Sequence, residues 1–157
     1  MAGVEVEITG LDDVVNRLQR LADSKRTKSI ARKAARQAMN IVRDAARQNA
    51  KAIDDPETSE KIFKNIKVSA GKTRNPNEIK MRVGVDGGAS QNANTDRAAL
   101  SKLSGGITTY WRYLEFGSAK MPATPFMRPA LSNNISQVTV RFATVFNEEL
   151  DKELANL

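Results

Sequence analysis

The chain contains no cysteine and no histidine. Without thiols there can be no disulfide, no thiolate zinc site and no cysteine nucleophile. Without imidazole, the commonest metal ligand and the usual general base at neutral pH are gone as well. Aromatic residues make up only 5% of the sequence, and no apolar run approaches the roughly 20 residues that a membrane-spanning helix needs. The N-terminal MAGVEVEITG has neither a basic head nor the long apolar segment of a signal peptide, so the expected compartment is a cytosol and no membrane partner is expected. What remains are functions carried by charge, shape and surface.

Charge is what the chain has. Its net charge is +7, which suits nucleic acid, an acidic protein surface, or solubility alone. The distribution says more. Between Arg17 and Lys51 stand eleven basic residues against Asp23 and Asp44, whereas the last stretch carries Glu148, Glu149, Asp151 and Glu153 against Lys152. Such asymmetry invites basic-to-acidic contact, including contact between neighbouring subunits. The length of 157 residues fits one domain covering the whole chain.

In chain order, Val4, Val6 and Ile8 alternate with polar residues as in a half-buried strand, and Leu11, Val14, Val15, Leu18 and Leu21 fall on one face of a first helix. A second helix, capped by Ser24 or Thr27, is expected to run to about Ile53, with one small-residue face and one basic face. Arg32, Lys33, Arg36, Arg43 and Arg47 are the candidate contact residues of that basic face. Three readings of it stay open: a nucleic-acid surface lying along phosphates, a solvated helix face, and a subunit contact. The lack of a helix-turn-helix pattern or of base-reading Asn and Gln clusters weighs against the first.

Asp54, Asp55 and Glu57, with Glu60 close by, form the single carboxylate cluster that could hold a divalent ion for phosphoryl chemistry. Pro56 makes this segment a loop, and acidic residues just before Thr58 or Ser59 are typical of a helix start, which favours a structural role. Gly71-Lys72-Thr73 resembles the end of a phosphate-binding loop, but Ile66 stands where that pattern needs glycine. No catalytic residue, metal ligand or cofactor site emerges.

Ile66 to Ala70 and Glu78 to Val85 alternate as the strands of a hairpin, with Gly84 marking a bulge or a close backbone approach. Residues 87–106, rich in Ser, Asn, Ala and Gly, are expected to form a mobile loop anchored only by Leu100 and Leu103. The stretch Tyr110 to Leu131 then holds both tyrosines, the single tryptophan and three of the five prolines. Alternation from Ile107 to Phe116 suggests a strand covered on both sides. Gly117 lets the chain turn out of it, and Pro122, Pro125 and Pro129 impose a stiff elbow. A last helix is expected from Pro129 to about Leu154. The sum is an α+β fold: a small, mostly antiparallel sheet of four or five strands packed by two long helices.

Tyr113-x-Glu115-Phe116-Gly117, followed by Pro122-Ala123-x-Pro125-Phe126-x-Arg128-Pro129-Ala130-Leu131, resembles the signature of a tail-component family of long-tailed phages and prophages, the family that includes minor tail protein Z and tail completion proteins of lambda-like phages. Upstream, TSEKIFKNIKV is similar to the family's Thr-Gly-x-Leu and following strand, with Ser59 in place of the glycine. The resemblance implies a structural virion protein at the head-proximal end of the tail, assembled in the host cytoplasm and without enzymatic activity. It further implies a ring, most simply a hexamer, whose partners are further copies of itself, the tail terminator or tail tube protein, and the neck or head-closure protein. DNA would pass through such a ring without specific binding. Tail completion, tail termination and a neck role all remain open, and a basic nucleic-acid-binding protein is the alternative.

Overall fold

A computed structural model describes residues 24–156. The expected N-terminal strand and the helix over Leu11 to Leu21 lie outside the described residues. The rest is an α+β arrangement in which one helix, α1 (Ser24–Ala52), runs for 29 residues through the described part of the molecule. Ala, Arg, Lys and Gln, all good helix formers, dominate it. Pro56 follows its end, after turn hydrogen bonds from Ile53 N to Ala50 O and from Asp54 N to Lys51 O.

The buried positions of α1 are Ile30, Ala34, Ala38, Val42, Ala46 and Ala50, a strict four-residue spacing. Four residues turn a helix by about 400°, so each step drifts the stripe by about 40° and the full set winds about 200° around the axis. One helix thereby faces two cores. Near its start, Ile30 meets Leu150 and Phe146. Towards its end, Val42, Ala46 and Ala50 pack with Ile62, Ile66, Phe126 and Ala130. The alanines keep the backbones close, which is why the basic helix can be a core element at all.

After α1 come a single helical turn, α2 (Ile62–Asn65), and the antiparallel hairpin of β1 (Ile66–Ala70) and β2 (Met81–Val85). Ile66 pairs with Val85 and Val68 with Val83, placing those apolar side chains on one face. Among the described residues the sheet has two strands, not the four or five expected. Gly84 sits opposite Lys67 in an unbroken register with open space around it, so it marks neither a bulge nor a close approach.

The segment beyond β2 carries a short helix, α3 (Arg97–Ser101), whose N-cap Asp96 accepts from Ala99 N. Leu100 and Leu103 close over Gly87, in line with their expected role as anchors. The segment returns at a buried polar knot. Asn65 accepts from Gly105 N at 2.8 Å and donates to Gly106 O and to Thr108 Oγ1, while Lys61 N donates to Gly105 O. A methyl group at position 105 would fall 2.1 Å from the Lys61 carbonyl oxygen, so only glycine fits there.

Two expectations fail beyond this point. Ile107 to Phe116 is not a strand; Trp111–Phe116 forms a helix, α4, with Trp111 and Leu114 packed on the core and Glu115 buried. The i, i+3, i+4 set of inward residues competes with alternation over so short a window, and no partner strand is present among the described residues. The last helix is also broken. α5 (Arg128–Ser132) ends at Asn133 and Asn134, whose Nδ2 donates to Ala130 O, and α6 (Ile135–Ala155) starts afresh. Polar residues that favour caps over helix interiors explain the break.

The knot makes a measurable contrast between two glycines. Gly105→Ala should cost about 2 kcal/mol or more by forcing Lys61 and the 105 backbone apart, whereas Gly84→Ala should stay within about 0.5 kcal/mol. Urea unfolding followed by circular dichroism measures both. Equal effects would contradict the described packing.

Candidate functional site: a carboxylate-braced elbow

The elbow begins where α4 ends. Gly117 has φ of 76° and ψ of 177°, in a region favourable to glycine, and a Cβ there would lie 2.9 Å from Ala123 N. Its own N–H caps α4 by donating to Tyr113 O. Ser118 and Met121 then pair across a tight turn, and Thr124 N donates to Leu114 O at 2.7 Å, folding the proline-rich arm back onto α4.

The arm ends in three consecutive backbone N–H groups, those of Phe126, Met127 and Arg128, at the start of α5. Groups at a helix start have no intrahelical acceptor and need one from elsewhere. Glu115 supplies it. Its Oε2 accepts from Phe126 N at 2.7 Å and Met127 N at 2.9 Å, and its Oε1 accepts from Arg128 N at 2.9 Å and Arg128 Nε at 3.1 Å. A second guanidinium nitrogen of Arg128 donates to the Glu115 carbonyl, making the arginine a two-point clamp on one residue. Glu115 is only 1% exposed, so these partners replace its water.

Burial pushes the Glu115 carboxyl up, but the N–H groups of Met127, Arg128 and Phe126, together with the Arg128 guanidinium, outweigh it and hold the group below its ordinary value of 4.5. Beside the carboxylate, Phe126 is fully buried and packs edge-to-face with Trp111, the ring centroids 6.4 Å apart. Asn49 of α1 donates to Phe126 O, tying the elbow to the long helix. Trp111 in turn donates from Nε1 to Gly88 O, which reaches back to the segment after β2. The outside of the elbow carries large aromatic and apolar side chains among the cations Arg112, Lys120 and Arg128. Tyr110, Tyr113, Phe116 and Met121 are all exposed, Phe116 most of all at 64%, with the Arg128 guanidinium 5.0 Å from its ring centroid.

The motif residues Tyr113, Glu115, Phe116, Gly117, Pro122, Pro125, Phe126, Arg128 and Pro129 lie together in this one elbow. They divide into a buried brace of Glu115 and Phe126 and an outer surface of Tyr113 and Phe116. Asn65, Gly105 and Thr108 were missed, because a lone Asn or Gly in a polar stretch carries no pattern that distinguishes a buried knot from a loop. The basic face is divided too. Arg47 donates through Nε and a terminal nitrogen to Ile66 O at 3.0 and 2.7 Å, and Arg43 pairs with Asp44. Lys33 pairs with Glu149 at 2.8 Å, so part of the basic-to-acidic contact lies within the chain. Arg32 and Arg36 stay exposed and pair with no carboxylate among the described residues.

The carboxylate loop is likewise partly occupied. Asp54 pairs with Lys61 at 2.7 Å, and Asp55 accepts from Glu57 N in a local turn. Among the described residues no group of three or more His, Asp or Glu side chains is placed to hold a metal.

What this geometry defines is a small α+β protein that presents a stiff aromatic elbow, braced from inside, beside a charged helix. The chain belongs to the family described as "Bacteriophage HK97-gp10, putative tail-component", whose model matches residues 12–117. The matched span ends at Gly117, so it includes Tyr113, Glu115 and Phe116 but stops short of the proline-rich arm. No curated protein and no solved structure matches the chain.

Because the folded value of Glu115 is depressed, its contribution to stability is complete above the unfolded carboxylate range and disappears as pH falls through the folded value. Glu115→Gln should therefore cost about 2–4 kcal/mol at pH 7, and the gap to the unsubstituted protein should shrink as pH drops below 4.5. Denaturant titrations at pH 7 and pH 3.5 measure this. A pH-independent gap would mean that the carboxylate charge does not brace the elbow.

Proposed function

We propose that this tail-component family member is a non-enzymatic structural protein of the virion, acting as a ring subunit at the head-proximal end of the tail, in tail completion or head-tail joining. The observation that carries the reading is the elbow. Its inner side is fixed by the Glu115 hydrogen bonds, while its outer side offers Tyr110, Tyr113, Phe116 and Met121 to solvent. Aromatic residues on a rigid element bury much area on docking at little conformational cost, which suits a permanent protein contact. A rigid element also gives each contact a fixed angle, and a ring requires that the angle repeat. In this reading the partners are copies of the chain, the tail tube or terminator protein on one side and the neck or head-closure protein on the other.

The alternative, a nucleic-acid-binding protein using the basic helix, loses force because Arg47 donates to the Ile66 carbonyl and Arg43 pairs with its neighbour Asp44. The proposed role thus leaves DNA as a passing tenant of the ring bore and not as a ligand.

Deleting the reading frame from the parent phage or prophage should leave full heads and separate tails in negative-stain micrographs of the lysate. Tails of normal length would indicate completion and overlong tails termination, whereas intact infectious virions would refute an assembly role. A chain carrying Tyr113→Ser and Phe116→Ser should fold, with an unchanged circular dichroism spectrum, yet fail to complement the deletion. Full complementation would remove the elbow from the docking surface.

A further inference from the structure

Along α1, Lys28, Arg32 and Arg36 follow one another at four-residue spacing, which sets three cations in a row about 12 Å long. Arg32 and Arg36 are exposed and Lys28 is half-buried, and none of the three has a carboxylate partner among the described residues. Their neighbours behave differently: Arg26 pairs with Glu153 and Lys33 with Glu149, so the acidic residues of α6 are directed to an adjoining side of α1. Among the described residues, these three are the run of neighbouring cations on α1 that no carboxylate meets.

In the loop beyond the far end of the same helix, past the exposed Lys51 of its last turn, carboxylates gather. Asp55 and Glu57 are exposed, Glu60 is half-buried, and none of them forms an ion pair with a cation among the described residues, whereas Asp54 is held by Lys61. Tyr110 borders this loop, where burial, and after it the negative charge of Glu60, Asp54 and Asp55, raises its pKa. From Arg32 to the end of α1 at Ala52 is about 30 Å of straight helix. The two charged patches therefore lie far apart and cannot neutralise each other within one subunit.

Opposite charges at opposite ends suit a head-to-tail contact between identical subunits, since the two faces of such a contact are different surfaces of the same chain and must be complementary. We propose that the row Lys28, Arg32 and Arg36 of one copy meets the loop carrying Asp55, Glu57 and Glu60 of the next. This rests on the ring reading and names the surfaces that would form its repeat. Duplex DNA is the less favoured occupant, because the basic stripe is interrupted before Lys51: Arg43 is paired with Asp44, and Arg47 is turned inward to Ile66 O. Charges of this exposed kind fix orientation and partner choice more than they supply affinity.

The test uses the full chain and two charge reversals, Arg32→Glu with Arg36→Glu, and Glu57→Lys with Glu60→Lys. Sedimentation velocity should show self-association of the unsubstituted protein that weakens from 50 to 500 mM salt. Each reversed variant alone should associate about tenfold or more weakly, having two ends of like sign. An equimolar mixture of the two should regain association, because the reversed row of one then faces the reversed loop of the other. Circular dichroism of each variant establishes that it is folded. Self-association of the original chain that neither reversal weakens would overturn this contact while leaving the ring intact, as would a mixture no better than its components. An original chain that stays monomeric at every concentration would sink the ring reading and this contact together. Loss of duplex DNA binding by the arginine reversal, with self-association untouched, would assign the row to nucleic acid.

Discussion

Three backbone N–H groups in succession, those of Phe126, Met127 and Arg128, have to find acceptors at a place where the chain is packed against its own core. Much of the described structure between Trp111 and Ser132 follows from how that demand is met. A carboxylate is the one side chain that can accept from all three and still bind a guanidinium, and it must come from an element close enough to reach. α4 supplies it as Glu115, one residue before its end, with Gly117 providing the reversal that sends the arm back. Phe126 is thereby held in the core beside Trp111, and the helix α5 starts at a fixed point relative to α4. The same contacts leave Tyr113 and Phe116 on the outside.

Parts of this were legible in the sequence and parts were not, for definite reasons. The long basic helix was readable, its end to within a residue or two, because its composition and its apolar spacing agree. The hairpin of β1 and β2 was readable from alternation and a glycine-bearing turn, although β2 begins at Met81, later than its alternation suggests. The motif from Tyr113 to Pro129 was readable as a unit, but its local structure was misjudged. Six residues with apolar groups at both two-residue and three- or four-residue intervals fit a strand and a helix equally, and only the packing of Trp111, Leu114 and Glu115 decides. Ser132, Asn133 and Asn134 weaken a helix without by themselves announcing a break, so the interruption there was not legible. The polar knot at Asn65 could not be seen, since what makes Gly105 indispensable is the carbonyl of Lys61, forty-odd residues away in sequence and absent from any local pattern.

The charge distribution was legible as an asymmetry, but its use was not. Opposite charge on the first described helix and the last pointed to contact, and the structure satisfies some of that contact within one subunit through Lys33 and Glu149. Arg47 shows how far a side chain can depart from the role its charge suggests. Its guanidinium serves as a donor to the backbone where α2 passes into β1, so it stabilises the entry to the hairpin. A basic residue on an apparently solvated face can thus be structural, and membership in a charged stripe says little until the partners are known.

The drifting stripe on α1 also limits how this protein can change length. Both hydrophobic clusters are threaded on one continuous rod, the first at Ile30 and the second from Val42 to Ala50. Adding one residue between them would advance the second cluster by about 1.5 Å and turn it by about 100°, aiming its alanines away from Ile66 and Phe126. Only insertions near a whole number of turns, such as seven or eleven residues, restore the facing. The spacing between the two ends of the subunit is consequently quantised by the pitch of a single helix, which makes that helix the ruler of the molecule.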